Sequence, residues 1–329
     1  MENRNWIITA VISSIVLIFS VLIGLSVHNM TIEKTDPSKE TDVQESEIDS
    51  PSENESKSEP DSTSESPSEP ETAPSTETES PVSFRMPEEA DYERIRAQYD
   101  QTIKSYYATA ALNTNGDPVD VVRFESIFDP MFEGKVHCRN RSGKISLSFI
   151  LVREYDSNTE YVLNYLREKE VKSIFFTDYY YAEAHPDIIR RILADGHQIG
   201  SLGYSLPTNG FASLTLEKQA DEINKFHIYM RDHFGIRMDR FTFVNSQYSD
   251  ASIALIIEMG YEVEFYTVNY ADFEHNKIIQ ASAFLEAMKG RFHAGADYLL
   301  HTVNTASLVV IPALIDYIRE QGYTISIAE

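Results

Sequence analysis

An α/β fold with parallel strands is predicted for the C-terminal part of this 329-residue chain. Short apolar runs, such as "KISLSFIL" and "VKSIFFT", alternate with longer segments whose apolar residues recur at helical spacing, such as "HPDIIRRILADG". This alternation is typical of strands that lie parallel with helices packed outside them, as an open sheet or a barrel. In a barrel, the functional groups are expected at the carboxyl ends of the strands.

The N-terminal segment predicts a membrane anchor. Residues 6–28 are apolar from Trp6 to Val27 without a single charge. At about 1.5 Å per residue, this run spans the roughly 30 Å hydrocarbon core of a bilayer. A cleaved signal peptide is the alternative, but its apolar region would be shorter, about 7–15 residues. Arg4 precedes the helix and acidic residues follow it. Residues 1–5 are therefore expected in the cytoplasm, with the C-terminal domain of this single-pass cell-membrane protein outside the cell.

Residues 29–83 predict a disordered stalk between the membrane and the folded domain. From Thr31 to Ser83 the sequence is mostly Ser, Glu, Pro and Thr, with almost nothing apolar to offset the entropy of ordering. A binding tail is the alternative interpretation. Much of the formal net charge of −24 lies in this segment. Such acidity argues against a nucleic-acid or anionic-lipid partner, because phosphates bind to Lys and Arg.

The folded part begins at about Phe84. Residues 84–143 predict a helical arm, "PEEADYERIRAQYDQTIKSYYATAAL", followed by a hairpin whose turn lies in "CRNRSGK". The single cysteine, Cys138, has no partner for an internal disulfide and is expected to be a buried thiol. Residues 144–329 contain about seven predicted strands that alternate with helices, and "YTISIA" is the last strand.

Several of these segments resemble the polysaccharide deacetylase family (NodB-homology, carbohydrate esterase family 4). They are "ISLSF", "VKSIFF", "HPDIIRRILADGHQIGSLGYSLP", "DASIALIIEMGYEVEFYTVN" and "YLLHT". "FYTVNYADF" followed by "RFHAGADYLLHTVN" is most similar to the muramic-acid deacetylase branch, which acts on peptidoglycan. The resemblance covers about residues 144–329. It implies a distorted (β/α)7-type barrel and metal-assisted hydrolysis of a carbon–nitrogen amide bond in a glycan.

The resemblance also locates the family's catalytic motifs, and most of their functional residues are replaced. Two acids end the family's first strand, a base and a metal ligand, and the matching residues are Ile150 and Leu151. Two metal-binding histidines of the family match Leu202 and Leu206, and an arginine matches Thr242. A zinc-type site needs about three protein ligands, and an aliphatic side chain has no lone pair to offer. We therefore expect no metal cofactor.

Two family residues are retained, the acid at Asp272 and the general-acid histidine at His301. Positioned acid–base catalysis is worth roughly 10²- to 10⁴-fold, too little to replace the metal and the base. We therefore interpret Asp272 and His301 as vestigial and the domain as a catalytically inactive homologue. An apolar plug is expected, in which at least one of Ile150 and Leu151 meets at least one of Leu202 and Leu206. Both loop leucines are expected to be buried. Arg153 and Glu154 could fill the emptied site as an ion pair.

Tyrosines cluster near the predicted strand ends. Aromatic rings with a hydroxyl group suit sugar rings, although the same tyrosines could serve packing alone. The candidates for glycan binding are Tyr179, Tyr180, Tyr181, Tyr204, Tyr248 and Tyr270. The sequence thus favours a membrane-anchored, non-catalytic protein that binds cell-wall glycan, such as peptidoglycan, or another surface partner. An active peptidoglycan deacetylase that uses other residues and a structural scaffold are the alternatives, and the oligomeric state is left open.

Overall fold

Strands and helices alternate through the part of the chain that the computed structural model describes, residues 84–328. The predicted cytoplasmic segment, membrane helix and stalk (residues 1–83) lie outside the described residues. Within 84–328, no helix is both long and apolar enough to cross a membrane. The helices are α1 Glu89–Gln98, α2 Val119–Phe132, α3 Asn158–Glu168, α4 Tyr179–Ala184, α5 Pro186–Ala194, α6 Leu216–Phe234, α7 Asp250–Glu258, α8 Ala281–Lys289 and α9 Thr305–Glu320.

Most of the strands form one sheet. The strands are β1 Lys104–Ser105, β2 Val136–His137, β3 Ser146–Leu151, β4 Ile174–Thr177, β5 Gln198–Ser201, β6 Arg240–Thr242, β7 Gln247–Tyr248, β8 Glu262–Glu264, β9 Val268–Asn269 and β10 Asp297–His301. Eight of them pair in the order β2-β8-β6-β5-β4-β3-β10-β9, and every pairing in this sheet is parallel. β1 and β7 form a separate antiparallel pair.

The predicted α/β fold with parallel strands is confirmed, but the sheet is not a closed barrel. Its edge strands, β2 and β9, do not pair with each other, so the curled sheet is an open half-barrel. The predicted final strand, "YTISIA", is reduced to one parallel bridge between Ile145 and Ile325. A helix that was not predicted, α4, follows β4 directly.

The pleat of the strands separates two apolar layers, because successive side chains point to opposite faces of a sheet. On β3, Phe149 and Leu151 belong to the large core between the sheet and the helices. Ile150 points to the concave inner face and belongs to a second, smaller cluster. The buried members of this inner cluster are Ile150, Ile174, Phe176 and Leu202.

The N-terminal arm differs from its prediction. α1 ends at Gln98, and the following residues contain β1 and the unpredicted α2. The predicted hairpin is wrong, since β2 pairs in parallel with β8, whereas β3 lies between β4 and β10. The turn itself forms, because the N–H of Gly143 donates to the carbonyl of Asn140 at 3.2 Å. Tertiary pairing then separates the two strands that flank the turn.

Candidate functional site at the strand ends

The carboxyl ends of four central strands meet on the inner face of the sheet. His301 of β10 pairs with Ile150 of β3, and Ile150 pairs with Phe176 of β4, which in turn pairs with Gly200 of β5. A Cβ atom on Gly200 would lie 2.3 Å from the Phe176 ring. Glycine is therefore required at this position, because the ring lies directly across β5.

An apolar plug fills the space where the family's ligands are expected. Ile150 is 1% exposed and Leu202 is 2% exposed, and both belong to the inner cluster with Phe176. The N–H of Leu202 donates to the carbonyl of Thr177 at 2.9 Å, which continues the β4–β5 register beyond the end of β5. The backbone thus directs Leu202 onto the inner face beside β4, where it belongs to the same apolar cluster as Ile150.

The other replaced positions do not join this plug. Leu151 is fully buried, but it packs in the outer core because the pleat turns it away from Ile150. Leu206 is 38% exposed, so the expectation that both loop leucines are buried is correct for Leu202 and wrong for Leu206. Thr242 is buried, and its hydroxyl donates to the carbonyl of Glu264 at 2.7 Å.

The loop after β5 explains why Leu206 points outward. Gly203 has a φ of +97°, a conformation that side chains disfavour and that turns the chain away from the sheet. The carboxylate of Glu222 on α6 accepts hydrogen bonds from the N–H and the hydroxyl of Ser205, at 2.6 and 2.9 Å. The loop is therefore fixed to α6, with Leu206 at its outer end.

The replaced positions do not fit a metal ion. Ile150, Leu151, Leu202 and Leu206 offer only aliphatic carbon. Within residues 84–328, no group of three or more His, Cys, Asp or Glu side chains is arranged to hold a metal. The two histidines of α6 are engaged elsewhere, since His227 Nδ1 lies 2.7 Å from the Tyr261 hydroxyl and His233 Nδ1 lies 3.1 Å from the Tyr229 carbonyl.

The retained residues, Asp272 and His301, form a hydrogen-bonded pair at the β10 end of the site, across from Leu202. Asp272 is completely buried, and one of its oxygens lies 2.7 Å from His301 Nδ1. Its other oxygen accepts hydrogen bonds from the His301 N–H at 3.0 Å and from the Ser307 hydroxyl at 3.1 Å. The ring of Phe273, which is 58% exposed, stands edge-on to the His301 ring at 5.9 Å.

The six candidate tyrosines are divided by the structure. Tyr181 and Tyr248 are buried, at 2% and 3% exposure, and offer no face to a ligand. Tyr270 is half-buried and stacks on Phe284 at 4.2 Å. Tyr181 and Tyr248 are therefore not candidates for glycan binding, which corrects their prediction, and one face of Tyr270 is covered.

The remaining three, Tyr179, Tyr180 and Tyr204, form one aromatic surface. Tyr179 stacks on Tyr204 at 4.3 Å between ring centroids. Tyr180 stands edge-on to both rings, at 5.4 and 5.7 Å, and is 56% exposed. We call these three residues the tyrosine surface.

Two acidic residues near the strand ends differ from the prediction. Glu154 was expected to form an ion pair with Arg153, and Asp178 was not among the predicted site residues. Glu154 makes no ion pair with Arg153 among the described residues. Its carboxylate instead accepts the N–H of Thr159 at 3.0 Å and the hydroxyl of Tyr181 at 2.7 Å. Asp178 caps α4 by accepting the Tyr181 N–H at 2.8 Å, and burial raises the pKa of its carboxyl to about 6. Its place directly after the "IFFT" strand was the available signal.

The inner face also carries charged groups away from the plug. Ser148 donates a hydrogen bond to Asp297 at 2.8 Å, and Arg240 forms an ion pair with Glu264 at 2.7 Å. Burial, with a further contribution from Glu264, raises the pKa of Asp297 to about 8. Burial also raises the pKa of Glu264. Both shifts favour the neutral carboxyl, which lowers the cost of placing two acids inside the half-barrel.

Residues 143–263 match the family model described as polysaccharide deacetylase. The match ends before Asp272 and His301. Among curated proteins, the peptidoglycan-N-acetylmuramic acid deacetylase PdaA of Bacillus subtilis is 26% identical over 172 residues, which is 50% of this chain and 63% of that protein. The chain therefore aligns with less than two thirds of that relative.

Solved structures share the fold. The family 4 carbohydrate esterase PdaA of Bacillus subtilis superposes with a TM-score of 0.62 at 20% identity, over 69% of this chain and 95% of that one. A family 4 pseudoenzyme from Bacillus anthracis, BA3943, superposes with a TM-score of 0.53 at 15% identity, over 72% of this chain and 92% of that one. The fold is thus found both in an esterase and in a protein described as a pseudoenzyme.

Proposed function

We propose that this chain is a non-catalytic relative of the polysaccharide deacetylases, whose family model it matches over residues 143–263, and that it binds cell-wall glycan. The observation that carries the proposal is the burial of Ile150 and Leu202 in one apolar cluster at the strand ends. Metal-assisted hydrolysis needs ligands that polarise the carbonyl and activate water, and these side chains can do neither.

The retained pair of Asp272 and His301 does not compensate for these losses. The Asp272 carboxylate already accepts three hydrogen bonds, two of them from His301, so it is engaged in holding that histidine. A lone acid–base group contributes roughly 10²- to 10⁴-fold, whereas enzymes accelerate reactions by 10⁶-fold or more. The pair is therefore assigned a structural role at the strand ends.

Glycan binding is proposed as the function that remains when catalysis is absent. Two relatives are named as peptidoglycan deacetylases, one for N-acetylmuramic acid and one for N-acetylglucosamine. Exposed aromatic rings, Tyr180 and Phe273, lie on the strand-end side of the domain and offer faces on which a pyranose ring can stack. A membrane helix at residues 6–28 and a stalk at residues 29–83 would place this domain outside the cell, within reach of the wall.

Two measurements on the purified full-length chain test the proposal. We expect retention on insoluble purified peptidoglycan, without release of acetate from muramic-acid or glucosamine glycans. Metal analysis is expected to give far less than one divalent ion per chain, with glycan retention unchanged by a chelator. A stoichiometric metal together with chelator-sensitive acetate release would instead establish an active deacetylase.

The scaffold alternative is tested by the same retention assay. A chain that remains in solution with peptidoglycan, and that releases no acetate, would show that the domain has neither a catalytic nor a glycan-binding role. Pentameric and hexameric soluble oligosaccharides of N-acetylglucosamine serve as a second probe, because they separate binding to the sugar from trapping in the insoluble polymer.

A further inference from the structure

We infer that the glycan is held by the tyrosine surface, Tyr179, Tyr180 and Tyr204, and that the ligand is the uncharged face of pyranose rings in an N-acetylated polysaccharide. The inference rests on the proposed function and assigns it a site. This site lies beside the plugged strand ends. Tyr179 and Tyr180 begin α4, one residue after the end of β4, and Tyr204 is separated from β5 by two residues of loop.

The surface is built in advance of any ligand. The Tyr179 ring is fixed on both sides, since it stacks on Tyr204 at 4.3 Å and meets the edge of Tyr229 at 4.8 Å. The Tyr179 hydroxyl also donates to Glu183. Because these rings are already ordered, a ligand that stacks on them loses little binding free energy to ordering side chains.

Tyr180 is the residue that this packing does not require. It is 56% exposed, and its hydroxyl has no hydrogen-bond partner among the described residues. Its ring stands roughly perpendicular to the Tyr179–Tyr204 stack, with interplanar angles of 75° and 61°. The Tyr179–Tyr204 stack and the Tyr180 ring therefore form the two sides of a corner, and the Tyr180 side is exposed to solvent. Such a corner suits a sugar ring, which has an apolar face and a rim of hydroxyl groups.

The charges around the surface favour a neutral ligand over an anionic one. Lys225 lies over the Tyr204 ring at 5.6 Å, but its ammonium is paired with Asp221 at 2.6 Å. The neighbouring acids, Glu183 and Glu222, add negative charge and are held by hydrogen bonds to Tyr179 and Ser205. A phosphate-rich polymer would meet no unpaired cation on this surface, so an uncharged sugar face is the ligand that fits it.

The test compares Tyr180→Ala with a matched control in the full-length chain. Tyr161→Ala is the control, because Tyr161 is a helical tyrosine of 46% exposure that also contacts a second tyrosine, Tyr165, at 5.3 Å. We expect Tyr180→Ala to weaken binding of N-acetylglucosamine oligosaccharides by about three- to tenfold, the range for loss of one aromatic contact. Tyr161→Ala is expected to bind as the wild-type chain does.

A measurement without any substitution makes the test independent of folding. Hydrogen exchange on the wild-type chain is expected to slow at residues 179–183 and 202–206 when the oligosaccharide is added. Equal binding by both variants, or slowed exchange only elsewhere, would overturn the inference while the wild-type affinity keeps the proposed function intact. A wild-type chain that binds neither oligosaccharide nor peptidoglycan would overturn both.

Discussion

The two sides of the strand-end site avoid burying an unpaired polar group in different ways. On the β3–β5 side, the buried side chains of Ile150 and Leu202 fill the space with aliphatic carbon. On the β10 side, Asp272 stays completely buried, but three hydrogen bonds satisfy it. A polar group can remain in a buried site when its partners remain, whereas a carboxylate deprived of its cation is costly there. The comparison predicts opposite consequences for substitutions on the two sides.

The largest effect is expected when the family's acid is restored alone on the apolar side. Ile150→Asp would place a carboxylate among Phe176, Ile174 and Leu202, where His301 on the neighbouring strand is the one titratable group in register with it. The lost apolar packing and the buried charge together should lower the free energy of unfolding by on the order of 5 kcal/mol. Urea denaturation followed by circular dichroism measures this. A stable variant that acquires a zinc ion would show that the site is not an apolar plug.

A large effect is also expected on the polar side. Asp272→Ala would leave three donors, on His301 and Ser307, without their acceptor and should destabilise the domain by about 3–5 kcal/mol. The matched control is Asp316→Ala, because Asp316 forms an exposed ion pair with Lys169 at 2.7 Å. Exposed pairs contribute about 1 kcal/mol or less. Similar losses in the two variants would contradict the structural role of the Asp272–His301 pair.

The two loop leucines provide a smaller, internal contrast. Leu202→Ala removes a side chain that is 2% exposed and should cost about 2–5 kcal/mol. Leu206→Ala removes one that is 38% exposed and should change stability by about 0.5 kcal/mol. Both changes delete the same atoms, so equal effects in denaturant would mean that the loop does not divide the two residues between core and surface.

The last contrast is a pH dependence on the inner face, measured over the short pH window that isolates it. The pKa of Asp297 in the folded protein, about 8, exceeds its unfolded value of about 4. The folded state therefore binds the proton more tightly, and stability should fall as the pH rises from about 4 to about 8. In Asp297→Asn, most of this slope should disappear. Unfolding measured between pH 7 and 9 isolates the effect, since burial lowers the pKa of His197, His227 and His293 to about 4.

An unchanged slope in Asp297→Asn would indicate that another group titrates in its place. Glu264 is the candidate, because burial raises its pKa as well and only one of its oxygens is bonded to Arg240. Glu264→Gln then identifies the group, since it keeps the size of the side chain and removes the charge. Loss of the slope in this second variant alone would reassign the proton to Glu264.

Local patterns in the sequence were sufficient for much of the fold. The alternation of apolar runs with helical segments predicted the parallel strands β3, β4, β5, β6, β8 and β10, because hydrophobic period and turn residues are local properties. The replacement of ligand-type residues by Ile150, Leu151, Leu202 and Leu206 was also visible in the sequence, once the resemblance to the family located these positions. Chemical capacity follows from residue type alone, so the inability of these side chains to bind a metal needed no coordinates.

Only the tertiary structure decided which of these residues share a space. The pleat of β3 separates Leu151 from Ile150, and Gly203 with Glu222 turns Leu206 away from Leu202. The sequence likewise grouped six tyrosines that the fold divides into buried and exposed sets. Pairing of β2 with β8, rather than with β3, depends on contacts between residues that are more than a hundred positions apart. Such pairings depend on how the side chains of the whole domain pack together, so no local sequence pattern determines them.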